Sequence, residues 1–315
     1  MMKAFVFPGQ GSQFVGMGKD LAEAFPIARA VFEEVDDALG QHLSQLMFDG
    51  PDSDLNMTEN TQPALMAVSV AVARVLQEAK PDLLTAAHAK FVAGHSLGEY
   101  SALTAAGSFS LRDAARLLKL RGQSMQKAVP VGVGAMAAIL GLDLPDVAAI
   151  AKEANSSDEI VSAANDNSYG QVVVSGHKAA VEKAVALATE KGAKRAVLLP
   201  VSAPFHCALM QPAADAMRDA LANTTIRAPS LPLIANVLAA ETVDPAQIRQ
   251  LLVEQVTGMV RWRESVLYMK QHGVSETIEL GAGKVLTGLT KRIDGEMTGR
   301  AVGTPKDIED FVGSL

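Results

Sequence analysis

The stretch VAGHSLGEYSAL at positions 92–103 decides the reading of the fold. An apolar run, KFVAG (90–94), leads into a serine with a glycine two positions to either side. LGEYSALTAAG (97–107) follows with helical character and closes on a glycine. Ser96 therefore sits in Gly-x-Ser-x-Gly between a buried strand and a helix. One reading is a sharp, strained turn that exposes the hydroxyl as a nucleophile. The N–H groups opening the helix would then face a developing oxyanion. The other reading is a small residue in a structural turn. Glycine and serine are common, so the pentapeptide alone is weak; the strand before it and the helix after it favour the nucleophile.

Outward from this elbow, short apolar runs alternate with helical segments. KAFVFPG (3–9) and AKFVAGHS (89–96) read as buried strands that end in glycine turns. Alternation of this kind predicts an α/β domain with a largely parallel sheet. PALMAVSVAVARVL (63–76) reads as a buried core helix with Pro63 near its first position; it holds Arg74 and falls short of roughly 20 residues, too short to span a bilayer. The middle of the chain changes rhythm. Strand-like GAMAAILGL, helical LPDVAAIAKEAN, strand-like EIVSAAND and QVVVSGH, helical KAAVEKAVALATEKG and strand-like KRAVLLPV follow in order. That β-α-β-β-α-β sequence is the ferredoxin-like pattern. The division is thus an α/β core at 1–128 and 200–315 with a ferredoxin-like insert at 129–199. A cleft between the two units is the expected place for a site.

Composition narrows the function. Twenty-eight Lys and Arg oppose 35 Asp and Glu, a formal charge of −7, which argues against global attraction to nucleic acid or to an anionic membrane. Basic clusters at Lys191, Lys194 and Arg195 and at Lys291-Arg292 read as solvated faces, with an acidic partner as the alternative. The single cysteine, Cys207, rules out an intramolecular disulfide and a cysteine-based metal cage. It reads as a small buried hydrophobe. The apolar run in MMKAFVFPGQGSQ is too short for a signal segment, and the expectation is a cytoplasmic protein.

A serine hydroxyl needs a base. Of six histidines, His95 adjoins Ser96, but its side chain points the opposite way in extended backbone. His42 and His88 lie in polar stretches, and His177 and His272 sit beside Gly176 and Gly273 at element ends. His206, in LLPVSAPFHCALM (198–210), follows an apolar strand and opens a new helical run. Strand ends in α/β sheets are where sites collect, so His206 is the favoured base, with a packed loop histidine as the alternative.

In SLRDAARLLKLRGQSMQKA (110–128), Ser110 and Asp113 suggest a capping-box variant. Arg112, Arg116, Lys119 and Gln123 form a polar stripe; Arg121 instead falls within the apolar arc of Ala114, Leu117 and Met125. An arginine there must snorkel, pair internally or bind an anion, and the sharper reading is bidentate capture of a ligand carboxylate. Two glycine-rich stretches fail as nucleotide loops. FPGQGSQFVGMG has Phe14 where a dinucleotide loop needs glycine, and LGAGKVLTG has Ile278 and Val285 where a phosphate loop needs glycine and a hydroxyl. The first remains a post-strand loop able to present Gln10 and backbone donors.

FPGQGSQ, TQPAL (61–65), GHSLGEYSAL, Arg121-Gly122, APFH (203–206) and GAGKVL (281–286) occur in one order along nearly the whole chain. Together they resemble the malonyl-CoA:acyl-carrier-protein transacylases of fatty-acid synthesis. The resemblance implies an α/β-hydrolase-like core with a ferredoxin-like insert. It implies that malonyl passes from malonyl-CoA to the phosphopantetheine thiol of acyl carrier protein through an ester on Ser96, in a ping-pong sequence. His206 would be the base, Arg121 would bind the malonyl carboxylate, and the backbone N–H groups of Gln10 and Leu97 would form the oxyanion hole. A main-chain carbonyl, placed by LLVEQV (251–256) on Gln255, would orient the histidine. In related polyketide acyltransferases a Phe before the histidine accompanies malonyl rather than methylmalonyl preference, so by this resemblance Phe205 would favour malonyl. No metal and no redox cofactor is implied, coenzyme A entering as a thioester. Ala282 and Tyr169 stand where the family usually has proline, both in expected loops. A serine thioesterase or hydrolase of similar core, a malonate-utilisation acyltransferase subunit and a non-catalytic carrier-binding module are the rival functions.

Overall fold

A computed structural model describes residues 2–201 and 203–315. Ten strands form two sheets. The strands are β1 (Met2–Phe7), β2 (Ala89–Gly94), β3 (Gly134–Leu140), β4 (Val161–Ser168), β5 (Gln171–His177), β6 (Arg195–Leu198), β7 (Leu233–Ile234), β8 (Glu241–Thr242), β9 (Val274–Leu280) and β10 (Thr298–Val302). The larger sheet has the order β10-β9-β1-β2-β7-β8. All its pairings are parallel except β7 with β8. Its central strands are buried on both faces, as apolar runs flanked by crossover helices require. Phe5, Phe7 and Val92 point into the major core, while Ala4, Val6, Phe91 and Ala93 point into a second cluster around Trp262, Val266 and Leu289. Alternate side chains of one strand thus seal both layers.

The helix Thr58–Ala79 runs through the larger core. The sequence reading set Pro63 near its first position; the helix instead begins five residues earlier, at Thr58, and Pro63 lies inside it. Side-chain hydrogen bonds to the segment just before it hold the extra turn. Thr61 Oγ1 donates to the Leu55 carbonyl at 2.6 Å and Asn60 Nδ2 to the Asp54 carbonyl at 2.9 Å. The polar pentapeptide ahead of Pro63 is helix because each of its side chains finds a partner. The helix Leu111–Ala128 crosses this turn at Gly122. A Cβ there would lie 2.5 Å from the Glu59 Cα, so only glycine allows the contact. The crossing sets the neighbouring Arg121 beside Gln62.

The 129–199 region follows the order strand, helix, strand, strand, helix, strand, with the helices Leu144–Ala154 and Lys178–Glu190. Its sheet is antiparallel throughout, in the order β4-β5-β3-β6. One face buries Ala137, Ile139, Val172 and Val174 against its two helices. The other face sends Met136 and Val173 into the major core. A backbone bridge docks the insert: Asp166 N donates to the Val260 carbonyl and Val260 N to the Ala164 carbonyl, both at 2.9 Å. Arg263 Nε reinforces it by donating to Asp166 Oδ2 at 2.9 Å. Among the described residues no helix is long and apolar enough to cross a membrane.

Asp166 is fully buried and its Oδ1 has no protein partner, so Arg263 is its principal compensation. Arg263→Ala strands that carboxylate and is expected to cost about 3 kcal/mol of stability. Urea denaturation measures it; a loss below about 1 kcal/mol would show that the backbone bridge alone docks the insert.

Candidate active site

The elbow after β2 is built by close backbone approach. A Cβ on Gly94 would lie 1.9 Å from the carbonyl carbon of Gly98, and one on Gly98 would lie 2.2 Å from the Phe7 carbonyl oxygen. Neither atom can yield, so both glycines are required for the turn. Ser96 adopts a left-handed backbone, φ +54°, unusual for a residue with a side chain. Asn236 braces it from the segment after β7. Its Oδ1 accepts from Ser96 N at 2.8 Å and its Nδ2 donates to the Gly94 carbonyl at 2.6 Å.

His206 arrives from the segment after β6 and is also left-handed, φ +57°. Its Nε2 lies 2.8 Å from Ser96 Oγ. Its Nδ1 faces two carbonyl oxygens, Gln255 at 2.9 Å and Gly258 at 3.1 Å. Carbonyls only accept, so Nδ1 carries the proton and Nε2 presents a lone pair to the Ser96 O–H. The carbonyls come from the C-terminal turn of the helix Pro245–Thr257, which Asp244 caps at its other end. Burial, then the charge of Arg121, pushes the His206 imidazole down to about 3, against the opposing pull of the two carbonyls. It is held neutral.

Arg121 is buried yet meets no carboxylate within ion-pair distance among the described residues. Two neutral amides hold it: Nη1 donates to Gln62 Oε1 and Nη2 to Gln255 Oε1, each at 2.7 Å. Nη2 also donates to Ser96 Oγ at 3.2 Å, and the guanidinium carbon stands 5.8 Å over the Tyr100 ring. Arginine keeps its charge even here, so the site holds a buried cation with unused donors, Nε among them.

These groups share one cavity of about 180 Å³ between core and insert. Gln10 and Leu97 line it with Ser96, Arg121 and His206, while Met125, Met136, Val173 and Phe205 make its apolar wall. Leu97 opens the helix that follows the elbow, and Gln10 lies in the turn after β1, its Nε2 donating to Thr58 Oγ1 at 3.3 Å. Gln255 contributes twice, by its carbonyl to His206 and by its side chain to Arg121. His95 also lines the cavity, but its Nε2 is 2.8 Å from Asn167 Oδ1 and its ring packs on Trp262. Cys207 is buried, its thiol donating to the Pro204 carbonyl. Tyr169 is exposed under Arg263, and Ala282 is buried away from the cavity.

Sequence reasoning missed Gln62, Asn236 and Gly258. Gln62 lies in the TQPAL motif and had a signal. Asn236 and Gly258 had none, because a bracing amide and an orienting carbonyl leave no pattern.

Residues 4–293 match the family model described as the acyl transferase domain. The chain is 50% identical over 302 residues to the malonyl CoA-acyl carrier protein transacylase of Escherichia coli K12, covering 96% of each chain. It is similar to the crystal structure of an acyl-carrier-protein-S-malonyltransferase from Bartonella henselae, with 55% identity, a TM-score of 0.97 and coverage of 100% and 99%. A malonyl-transacylase solved in complex with a type II PKS acyl-carrier protein aligns at 45% identity and a TM-score of 0.95, over 100% of both chains.

Because the native imidazole of His206 lies near 3 and an unfolded one near 6.5, the unfolded chain alone takes up that proton between those values. Stability therefore falls as pH drops below 6.5, by about 2 kcal/mol at pH 5 from this group. His206→Gln removes that part of the acid loss, read as the wild-type minus variant difference in urea midpoints at pH 7.5 and pH 5. His95, lowered in the same direction by burial, remains in both proteins and cancels. Equal acid losses would mean that His206 is protonated in the native state.

Proposed function

We propose, from the premise that this chain belongs to the acyl transferase domain family, that Ser96 carries the acyl group of the reaction as a transient ester. The protein is an acyltransferase acting between malonyl-CoA and acyl carrier protein in fatty-acid synthesis. The observation that carries the mechanism is one hydrogen-bonded chain. It runs from Ser96 Oγ through His206 to the Gln255 carbonyl, with a buried guanidinium on the same hydroxyl.

Ser96 Oγ attacks the thioester carbonyl as its proton passes to His206 Nε2. The developing oxyanion is received by the backbone N–H groups of Gln10 and Leu97. His206 returns the proton to the coenzyme A sulfur, which leaves. In the second half the carrier's phosphopantetheine thiol gives its proton to His206 and attacks the ester, and Ser96 recovers its proton. Thioester, ester and thioester stand at one oxidation level, so we infer no redox cofactor; with proton transfer assigned to His206 and the oxyanion to backbone N–H groups, we infer no metal either, coenzyme A being part of the substrate.

Arg121 binds the malonyl carboxylate. The incoming group takes the Nη2 donor now resting on Ser96 Oγ, together with a free Nη1 hydrogen, a bidentate pairing. The same event relieves His206 of the nearby positive charge, so its basicity rises when it must accept a proton. The cavity is smaller than the roughly 300–1,000 Å³ typical of drug-sized ligands. That suits a short acyl group with the rest of coenzyme A outside. Its apolar wall limits water at the ester and favours transfer over hydrolysis.

We also read the core, 1–128 and 200–315, as α/β-hydrolase-like and the insert, 129–199, as ferredoxin-like. The antiparallel order β4-β5-β3-β6 with both helices on one face supports the latter. The cytoplasm is the proposed location, where the thioester and the carrier would be met.

Intact-mass analysis after brief exposure to malonyl-CoA is expected to show one malonyl adduct, mapped to Ser96 and absent from Ser96→Ala. An adduct that persists in the variant would remove Ser96 from the chemistry. Arg121→Ala is expected to lower kcat/KM for malonyl-CoA by roughly 10- to 100-fold, the worth of hydrogen bonds to a charged group, while sparing acetyl-CoA. Equal losses for the two thioesters would end the carboxylate role.

A further inference from the structure

Glu99 lies one helical turn beyond the nucleophile, fully buried. A buried carboxylate is costly unless it is paired, and here no cation touches it directly. Its Oε2 accepts from Gln255 Nε2 at 2.6 Å and from Asn236 N at 3.3 Å. Its Oε1 has no hydrogen-bond partner among the described residues. The same Gln255 amide turns its oxygen to Arg121 Nη2 at 2.7 Å and gives a further bond to the Ser96 carbonyl at 2.9 Å. One amide thus joins the buried anion, the buried cation and the nucleophile's backbone. Only this orientation of Gln255 serves both sides, because its NH₂ must face a carboxylate and a carbonyl while its oxygen faces a guanidinium.

We propose that Glu99 is a positioning residue that balances Arg121 in the empty enzyme and takes up a proton from solvent when the substrate carboxylate arrives. The proposal rests on the reading that Arg121 binds the acyl carboxylate. Charge in the enclosed site requires the exchange. Ionised Glu99 and Arg121 sum to zero; a second carboxylate would leave an excess negative charge in low dielectric, and a proton on Glu99 restores neutrality. The vacant Oε1 can take that proton without breaking either bond to Oε2. The charged or titratable groups bearing on Glu99 are Arg121 and its helix neighbour Tyr100; the helix Pro245–Thr257 and the segment after β7 bring only amides. Burial, opposed by Gln255, Asn236 and then Arg121, already raises this carboxyl to about 7, where either protonation state is accessible.

The direct test is stoichiometric acylation by malonyl-CoA at pH 8 in weak buffer with a pH indicator. Net uptake approaching one proton per acyl-enzyme is expected from the wild type and none from Glu99→Gln, which keeps an acceptor for Gln255. The variant also gives the baseline for protons released by the coenzyme A thiol, and acetyl-CoA on the wild type gives the same baseline should the variant not fold. In steady state, the wild-type ratio of kcat/KM for malonyl-CoA over acetyl-CoA is expected to fall by up to roughly 20-fold from pH 6.5 to 8.5, the one-proton limit. The sign follows from the need for protonated Glu99 when malonyl binds; Glu99→Gln flattens the ratio. Absent uptake in the wild type, or equal uptake in the variant, overturns the proposal while leaving Arg121 its role. An Arg121→Ala enzyme that loses both thioesters equally overturns the carboxylate reading and the proposal with it.

Discussion

The hydrogen bond between Ser96 Oγ and His206 Nε2 joins residues 110 positions apart, and the rest of the architecture can be read as what holds it at 2.8 Å. Both residues take left-handed backbones that ordinary side chains avoid. Such conformations persist only where surroundings over-determine them. At Ser96 the surroundings are two glycines pressed into backbone and an asparagine bonded to both sides of the turn. At His206 they are two carbonyls at a helix end. The left-handed turn lets each polar tip leave the layer its neighbours occupy and enter the cavity.

Charge governs the second layer of organisation. A buried guanidinium beside a histidine base is at first sight unfavourable, since it suppresses the proton acceptance that catalysis needs. The arrangement fits the proposed mechanism, in which the substrate brings its own carboxylate to Arg121. The cation of Arg121 is spread over two amides and an aromatic face, and on the proposed mechanism a complementary anion both fills the site and restores the base. Selectivity and activation then come from one contact, and a neutral acyl group obtains neither.

The insert supplies the roof. Its sheet is covered by helices on one face and gives the other to the cavity, so Met136 and Val173 are at once core residues and wall residues. Packing that stabilises the molecule is thus the same packing that walls the cavity beside Ser96. The backbone bridge at Val260 and the Arg263–Asp166 pair transmit the position of the core to that wall.

Much of this is legible in the chain alone. Apolar runs with period-two burial, the strand–glycine–serine–helix elbow, the change of rhythm near residue 130 and an arginine on an apolar stripe are local patterns, and local patterns follow from backbone sterics and the burial of apolar area. Ser96, His206 and Arg121 stood out because their chemistry conflicts with their surroundings. The start of the helix at Thr58 is not legible in the sequence because its polar first turn is held by Lys119, Arg121 and Gln123 some sixty residues on. Asn236 and Gly258 left no pattern as site residues for the same reason. An amide, a carbonyl or a buried carboxylate acquires its role from what packs against it, and those neighbours are set by the crossing of helices and sheets far apart in sequence. The sequence by itself determined the elements and the reactive groups; tertiary structure alone decided which acceptor faces which donor, because hydrogen bonds depend on distances that only the packed chain defines.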